Sequence, residues 1–269
     1  DAVVKATGAT GEAADELAKS MTNVSRKVKG DFATIGSAVG EVNTRFGYTG
    51  EELENTTEQF MKFAEITGMD ATKAVQTVSK AMNNAGIDSS KYSEVLDEIA
   101  IAAQASGISA EKLTENLTKY GSQTRAAGLN TKESIALFAQ FEKSGVNAEM
   151  ALGGLKTAVK TWSDEGKNSR IEFQRTIQDI KDSPNVLEAT QKAIDVFGSK
   201  AGTELADAIH SGRFEYSEFL DIVKGSKGTV SATYDETQSG FDKAALAVQN
   251  MKTTAAELAD GLLQKYSPQ

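Results

Sequence analysis

The sequence contains no cysteine, only two prolines and a single histidine. Without cysteine, disulfide frameworks, thiolate catalysis and cysteine-ligated metals are excluded. Since proline is the strongest helix breaker, Pro184 and Pro268 leave nearly all of the chain free to form helix. No run of about 18 apolar residues occurs, so no segment is predicted to span a membrane as a helix.

Acidic residues outnumber basic ones, and the net charge at pH 7 is −9. A general surface for duplex DNA needs clustered Lys and Arg, so no specific nucleic acid is predicted as a partner. Four cations fall within residues 167–181, at Lys167, Arg170, Arg175 and Lys181, with acidic residues interspersed. We interpret this segment as a mixed-charge helix surface.

The abundant residues favour α-helix. Hydrophobic residues make up 39% of the chain, which is enough to build a core. Charged residues make up 25%, which is ordinary for a soluble protein. Many Ala, Glu, Lys and Leu residues favour helix by propensity, and no long stretch shows the alternation typical of strands. We therefore predict an all-α fold, a compact multi-helix array of short helices joined by Gly-aliphatic-cap turns and flanked by longer N- and C-terminal helices.

One three-residue junction recurs at spacings of 17 to 21 residues. It consists of glycine, an aliphatic residue and a capping residue, and it occurs at Gly68-Met69-Asp70, Gly86-Ile87-Asp88, Gly107-Ile108-Ser109, Gly128-Leu129-Asn130 and Gly145-Val146-Asn147. Glycine adopts the left-handed conformation that ends a helix, and Asp, Ser or Asn caps the next one. Gly198 followed by Ser199 is predicted to act similarly, so the predicted structural turns are Gly68, Gly86, Gly107, Gly128, Gly145 and Gly198.

Longer helices are predicted at both ends. Apolar residues recur every three or four positions from Leu17 to Phe46, which predicts one helix over residues 12–46. A second long helical pattern begins at Val230. We divide the chain into an N-terminal helical arm (1–48), an array with glycine junctions (49–165), a second helical subdomain (166–228) and a C-terminal long helix (229–269). Because the first residue is Asp1 rather than Met, we expect a fragment of a longer protein.

Candidates for catalysis are few, and no catalytic, cofactor-binding or metal-binding residue is predicted. His210 lies near a helix end, where a cation is favourable, and no serine has a nucleophile-elbow context. The carboxylate pairs Asp15-Glu16, Glu51-Glu52 and Asp97-Glu98 are interpreted as solvated helix faces, since neighbours on a helix point apart. Trp162 is assigned a role in the core or in covering a loop, in preference to one as an interface anchor.

Several segments, in order, resemble the core region of phage tail tape-measure proteins of long-tailed phages and prophages. They are Phe46–Leu53, the five glycine junctions, Glu149–Lys156 and Asp195–Gly202, and the resemblance covers roughly two thirds of the chain. It implies a structural protein, not an enzyme, that templates tail-tube assembly and sets tail length.

The resemblance also implies the partners and the location. Expected partners are the tail tube protein, tail assembly chaperones and baseplate or tail-tip proteins. The location would be the lumen of the virion tail, after assembly in the host cytoplasm. The long helices suggest self-association. Two alternatives stay open: a cell-wall (peptidoglycan) hydrolase domain, which predicts converging carboxylates in a cleft, and a generic helical interaction module.

Overall fold

The computed structural model describes residues 2–266, which form fourteen α-helices and one short 3-10 helix and contain no strand. The α-helices are α1 (Ala2–Thr7), α2 (Glu12–Ser25), α3 (Phe32–Phe46), α4 (Gly50–Thr67), α5 (Ala71–Ala85), α6 (Tyr92–Ser106), α7 (Ala110–Ala126), α8 (Thr131–Ser144), α9 (Ala148–Asp164), α10 (Ser169–Lys181), α11 (Val186–His210), α12 (Tyr216–Lys224), α13 (Thr229–Thr237) and α14 (Gly240–Tyr266). The predicted all-α fold class is confirmed.

The helices form two compact units. The first comprises the described residues up to Ser79 and those from Gly228 onward, and the second comprises Lys80–Lys227. The first unit therefore combines the helices of the N-terminal part of the chain with α13 and α14. The division of the sequence into the segments 1–48, 49–165, 166–228 and 229–269 stays a prediction.

In the first unit, α3 packs on α1 and α2, and α4 packs on α2, α3 and α13. Its core is made of fully buried apolar side chains, among them Val24, Ile35, Val39, Phe60 and Phe63. These residues recur at helical spacing on each helix, so each helix contributes one apolar face to a common interior.

The predicted single helix over residues 12–46 is wrong. The chain turns between α2 and α3, and the Asp31 side chain begins α3 by accepting the Thr34 N–H at 2.7 Å. The apolar periodicity continued through this turn because Val28, which lies within it, is also buried. Folding back allows α2 and α3 to pack against each other and against α4, which one straight helix would prevent.

The predicted continuous helix from Val230 is also wrong. Gln238 is extended, with φ −70° and ψ 109°, and separates α13 from α14. Ser239 and Asp242 then form reciprocal hydrogen bonds, because Ser239 N–H donates to Asp242 at 2.9 Å and Asp242 N–H donates to Ser239 Oγ at 3.2 Å. This arrangement is a capping box, which begins a new helix.

The second unit is organised around α8. Ten of its fourteen residues are buried, and it packs on α6, α7 and α12, so it is the central helix of this unit. Phe138 and Phe141 are its largest core side chains. A second contact joins α11 to α9 and α10. Within α11, Gly198 has φ 79° and ψ 164°, so a kink divides the helix there into two segments.

Candidate functional site

The glycine junctions are the most regular feature of the structure. Gly68, Gly86, Gly107, Gly128 and Gly145 all have positive φ, between 66° and 81°. At three junctions the aliphatic N–H donates to a carbonyl five residues earlier: Ile87 to Met82 at 2.8 Å, Leu129 to Thr124 at 3.0 Å and Val146 to Phe141 at 2.9 Å. This is the Schellman pattern, which satisfies carbonyl groups that the helix end would leave free.

A polar side chain begins the helix that follows each junction. Asp70, Asp88, Ser109, Asn130 and Asn147 each accept a backbone N–H two or three residues later, at 2.8 to 3.2 Å. The helices from α5 to α9 therefore each begin with a local capping bond, which for α6 lies in the short 3-10 helix before it, and α5, α7 and α8 also end in a Schellman bond. These bonds depend on neighbours in sequence, so they do not require the tertiary packing of either unit.

The junction before α8 carries the densest polar network. Asn130 and Glu133 form a capping box, in which Asn130 N–H donates to Glu133 Oε2 at 2.8 Å. Glu133 is 2% exposed and its other carboxylate oxygen pairs with Arg170 of α10. A buried carboxylate needs such partners because desolvation alone would strongly disfavour its charge. The network thus ties the start of the central helix to α10.

The contact between α9 and α11 is built from small residues. A Cβ atom on Gly154 would lie 2.5 Å from Ala201 Cβ and 2.7 Å from the Phe197 carbonyl oxygen. Trp162 is 5% exposed and meets the Phe197 ring edge-on, with centroids 6.5 Å apart. The core assignment of Trp162 therefore agrees with its burial. Gly153, beside Gly154, has no atom of another described helix within 4 Å of its Cβ position.

Two of the predicted carboxylate pairs contribute to one cleft. Glu16 and Glu51 both line a cleft of about 610 Å³ in the first unit, together with Glu54 and Lys19. Glu54 accepts a hydrogen bond from the Asn23 side chain at 2.8 Å. Glu16 and Glu51 are exposed, which agrees with solvated helix faces. The structure nevertheless brings together carboxylates that the sequence places 35 residues apart.

The interpretation of Asp97-Glu98 as a solvated pair is wrong. Asp97 is 6% exposed and Glu98 is 2% exposed, because this face of α6 lies in the packed interior of the second unit. Burial raises the pKa of Glu98 to about 8, with Glu94 and Asp97 adding to the rise and Lys132 opposing it. Among the described residues, Glu98 Oε2 has no hydrogen-bond partner, so its environment favours the neutral acid.

The remaining candidates are His210 and the four cations of residues 167–181. His210 ends α11, and its Nδ1 has no hydrogen-bond partner in the part of the chain that the structure describes. The four cations of residues 167–181 each pair with a glutamate: Lys167 with Glu165, Arg170 with Glu133, Arg175 with Glu172 and Lys181 with Glu215. This segment is therefore a mixed-charge surface whose cations already have acidic partners.

A second cleft, of about 590 Å³, lies in the second unit between α7 and the junction of α8 with α9. Its lining mixes lysines and glutamates, among them Lys112, Glu115, Glu142 and Glu149. Asn116 also lines it and is 5% exposed, and its Nδ2 has no hydrogen-bond partner within residues 2–266. Such mixed charge gives the cleft no single electrostatic preference.

Within the described residues, no group of three or more His, Asp or Glu side chains is arranged to hold a metal ion. No helix in the same part of the chain has the length and apolar character needed to cross a membrane.

Comparison with known protein families gives a match over most of the chain. The family model of phage-related minor tail proteins matches residues 1–210, which contain all five glycine junctions and the contact between α9 and α11. No curated protein and no solved structure matches the chain. Because the match covers more than half of the sequence, the chain belongs to the family of phage-related minor tail proteins and is a component of a phage tail.

Proposed function

We propose that this chain is the core region of a tape-measure protein from a phage or prophage. In this role it is a structural scaffold that templates tail-tube assembly and sets tail length. The observation that carries the proposal is the family match over residues 1–210, which spans the ordered motifs that resemble tape-measure proteins. The family itself supports a tail protein, and the order of those motifs supports the narrower role.

The helical architecture suits a ruler. A helix advances about 1.5 Å per residue, so 269 residues in extended helical form would measure about 400 Å. The helices from α5 to α9 begin with their own caps at the glycine junctions, as described above. We propose that the units open at these junctions inside the tail, while each helix keeps its local hydrogen bonds.

The proposed location and partners follow from the same role. The chain would lie in the tail lumen after assembly in the host cytoplasm, in contact with the tail tube protein. Tail assembly chaperones would hold it before the tube closes, and baseplate or tail-tip proteins would anchor it. The role is structural and not catalytic, in keeping with salt-bridged cations and carboxylates that are exposed or enclosed in the core.

A peptidoglycan hydrolase is the second candidate, and the cleft with Glu16 and Glu51 is the observation that favours it. Glycoside hydrolysis uses two carboxyl groups on either side of the scissile bond. Clearing of a peptidoglycan-containing gel by the purified chain, abolished in Glu51→Gln, would support this candidate. Absence of clearing by the wild-type chain would remove it.

The test of the ruler is tail length, measured by electron microscopy after in-frame deletion of the codons for residues 1–269 from the parent gene. Tails shorter by something approaching about 400 Å are expected if this segment is measured in extended helical form. A tandem duplication of the same codons is the matched control and should lengthen tails by a similar amount. If the deletion prevents tail assembly, the tail length of the duplication variant still tests the proposal. Tails of unchanged length in that variant would refute the ruler role of this segment.

A further inference from the structure

One face of α14 exposes a row of large apolar side chains. Phe241 is 83% exposed, Val248 49%, Met251 65% and Leu258 65%. Their spacings are seven, three and seven residues, and the exposed Ala244 and Ala255 complete the pattern. We call these six residues the α14 stripe: Phe241, Ala244, Val248, Met251, Ala255 and Leu258. They occupy every a and d position of three consecutive heptads.

The opposite face of α14 is held against the first unit by polar contacts. Gln249 Nε2 donates to the carbonyl oxygens of Ser25 at 2.5 Å and Val28 at 3.1 Å, and Asn250 Nδ2 donates to the Arg26 carbonyl at 3.2 Å. These acceptors lie at the end of α2 and in the turn that follows it, where carbonyl groups lack helical partners. The face of α14 that meets its own unit is therefore chosen by hydrogen bonding and not by apolar burial.

Two ion pairs reinforce this orientation. Lys29 Nζ lies 2.5 Å from Asp242 Oδ1, and Arg26 pairs with Glu257. The hydrogen bond from Lys29 holds the pKa of Asp242 well below its usual value. Both contacts lie on the side of α14 that faces α2, so the first unit fixes the α14 stripe toward solvent. An amphipathic helix ordinarily turns its apolar face inward, and this one is held the other way.

The sequence beside the stripe favours an identical helix as the occupant. In heptad terms, the flanking e and g positions are Ala245, Ala247, Lys252, Thr254, Ala259 and Gly261, of which one is charged. In a parallel pair in register, each g position faces the next e position of the other helix, so Lys252 faces Ala247. No like charges oppose each other, and the small residues allow close approach. A partner that relied on charges would find a single complementary site here.

The heptad spacing itself points to a coiled coil. A repeat of 3.5 residues keeps one seam facing a partner only if the two helices wind around each other. Valine at an a position and leucine at a d position, as at Val248 and Leu258, favour two strands. We propose that α14 is a homotypic docking surface, on which a second copy of this chain packs its own α14 stripe, parallel and in register. This inference rests on α14 alone and does not depend on the tape-measure role.

Single-cysteine crosslinking tests the arrangement directly, because the native chain contains no cysteine. The variants Val248→Cys and Leu258→Cys should both form disulfide-linked dimers under mild oxidation. These positions are about 15 Å apart along the helix, so an antiparallel pair would link at most one of them. Lys243→Cys, on the same helix but outside the stripe, is the control and should remain monomeric. Equal crosslinking of all three variants would overturn the proposal, as would linkage at only one stripe position.

Mass measurement of the cysteine-free chain provides an independent readout. Light scattering across a concentration series should show conversion from the 28.5 kDa chain to a species of twice that mass. Met251→Glu should abolish the larger species without loss of helical circular dichroism, since Met251 contacts solvent in the single chain. Leu187→Glu removes an exposed apolar residue elsewhere, 79% exposed, and should leave dimerisation unchanged. A chain that stays monomeric at every concentration would refute homotypic docking.

Discussion

Gly153 and Gly154 are neighbours on α9 that should respond oppositely to the same substitution. A Cβ on Gly154 would meet Ala201 Cβ at 2.5 Å and the Phe197 carbonyl oxygen at 2.7 Å. The carbonyl oxygen belongs to the backbone of α11, so it moves only if the two helices separate. Gly153 has open space around its Cβ position. The two glycines are adjacent in sequence, but only Gly154 packs closely against α11.

The magnitudes follow from two opposing effects. Alanine in a helix interior is favoured over glycine by about 1 kcal/mol, and this gain applies to both positions. Overpacking of a tight contact costs about 1–3 kcal/mol, with the upper end expected where a backbone atom is struck. Gly154→Ala should therefore lower the free energy of unfolding by about 2 kcal/mol, and Gly153→Ala should raise it by about 1 kcal/mol.

Urea unfolding measures both changes, and the chain supplies its own local probe. Trp162 is the single tryptophan of the sequence and packs edge-on against Phe197, so its fluorescence reports on the contact between α9 and α11. The emission of Gly154→Ala should shift toward that of exposed tryptophan at lower urea than in the native chain. If Gly154→Ala stabilises as much as Gly153→Ala, the close approach of the two helices is refuted.

Two further predictions concern a turn and a buried acid. Gly107→Ala should destabilise the protein by about 1–2 kcal/mol, the cost of placing a Cβ atom in the left-handed conformation. Gly86→Ala should destabilise it by more, because the new Cβ would also displace the Arg125 side chain, which donates a hydrogen bond to the Ala85 carbonyl. Equal urea midpoints for the two alanine variants would contradict this. Burial raises the pKa of Glu98 from 4.5 to about 8, so between these values the native state keeps a proton that the unfolded chain has lost. The contribution of Glu98 to stability is therefore fully present below pH 4.5 and falls as pH rises to about 8. Glu98→Gln should flatten this dependence and stabilise the protein at pH 8 by on the order of a few kcal/mol. Glu94→Gln should weaken the dependence only in part, because the charge of Glu94 adds to the raised pKa of Glu98 but burial is its main cause.

The turns that depend on neighbouring residues could be predicted from the sequence. A glycine with an aliphatic residue and a cap after it specifies the end of one helix and the start of the next through bonds within a few residues. The two errors at the ends of the chain have the same local origin. The Asp31 cap and the Ser239–Asp242 capping box also depend on residues close in sequence. They were missed because the apolar periodicity continues on either side of each turn, as Val28 shows for the turn between α2 and α3.

The candidate surfaces divide in the same way. The a and d spacing of the α14 stripe was readable in the sequence, but its exposure was not, because the polar contacts of Gln249 and Asn250 with α2 decide which face meets the protein. The cleft with Glu16 and Glu51 joins residues from α2 and α4, whose proximity no local pattern encodes.

The sequence by itself determined the all-α fold class, the sites of the glycine turns and the membership of the tail-protein family. Each of these depends on residue type and short-range spacing. Only the tertiary structure decided that Glu98 is enclosed while Glu51 is solvated, and that Gly154 meets another helix while Gly153 does not. Those differences depend on which face of a helix another helix covers, and long-range packing selects that face after the helices themselves are specified.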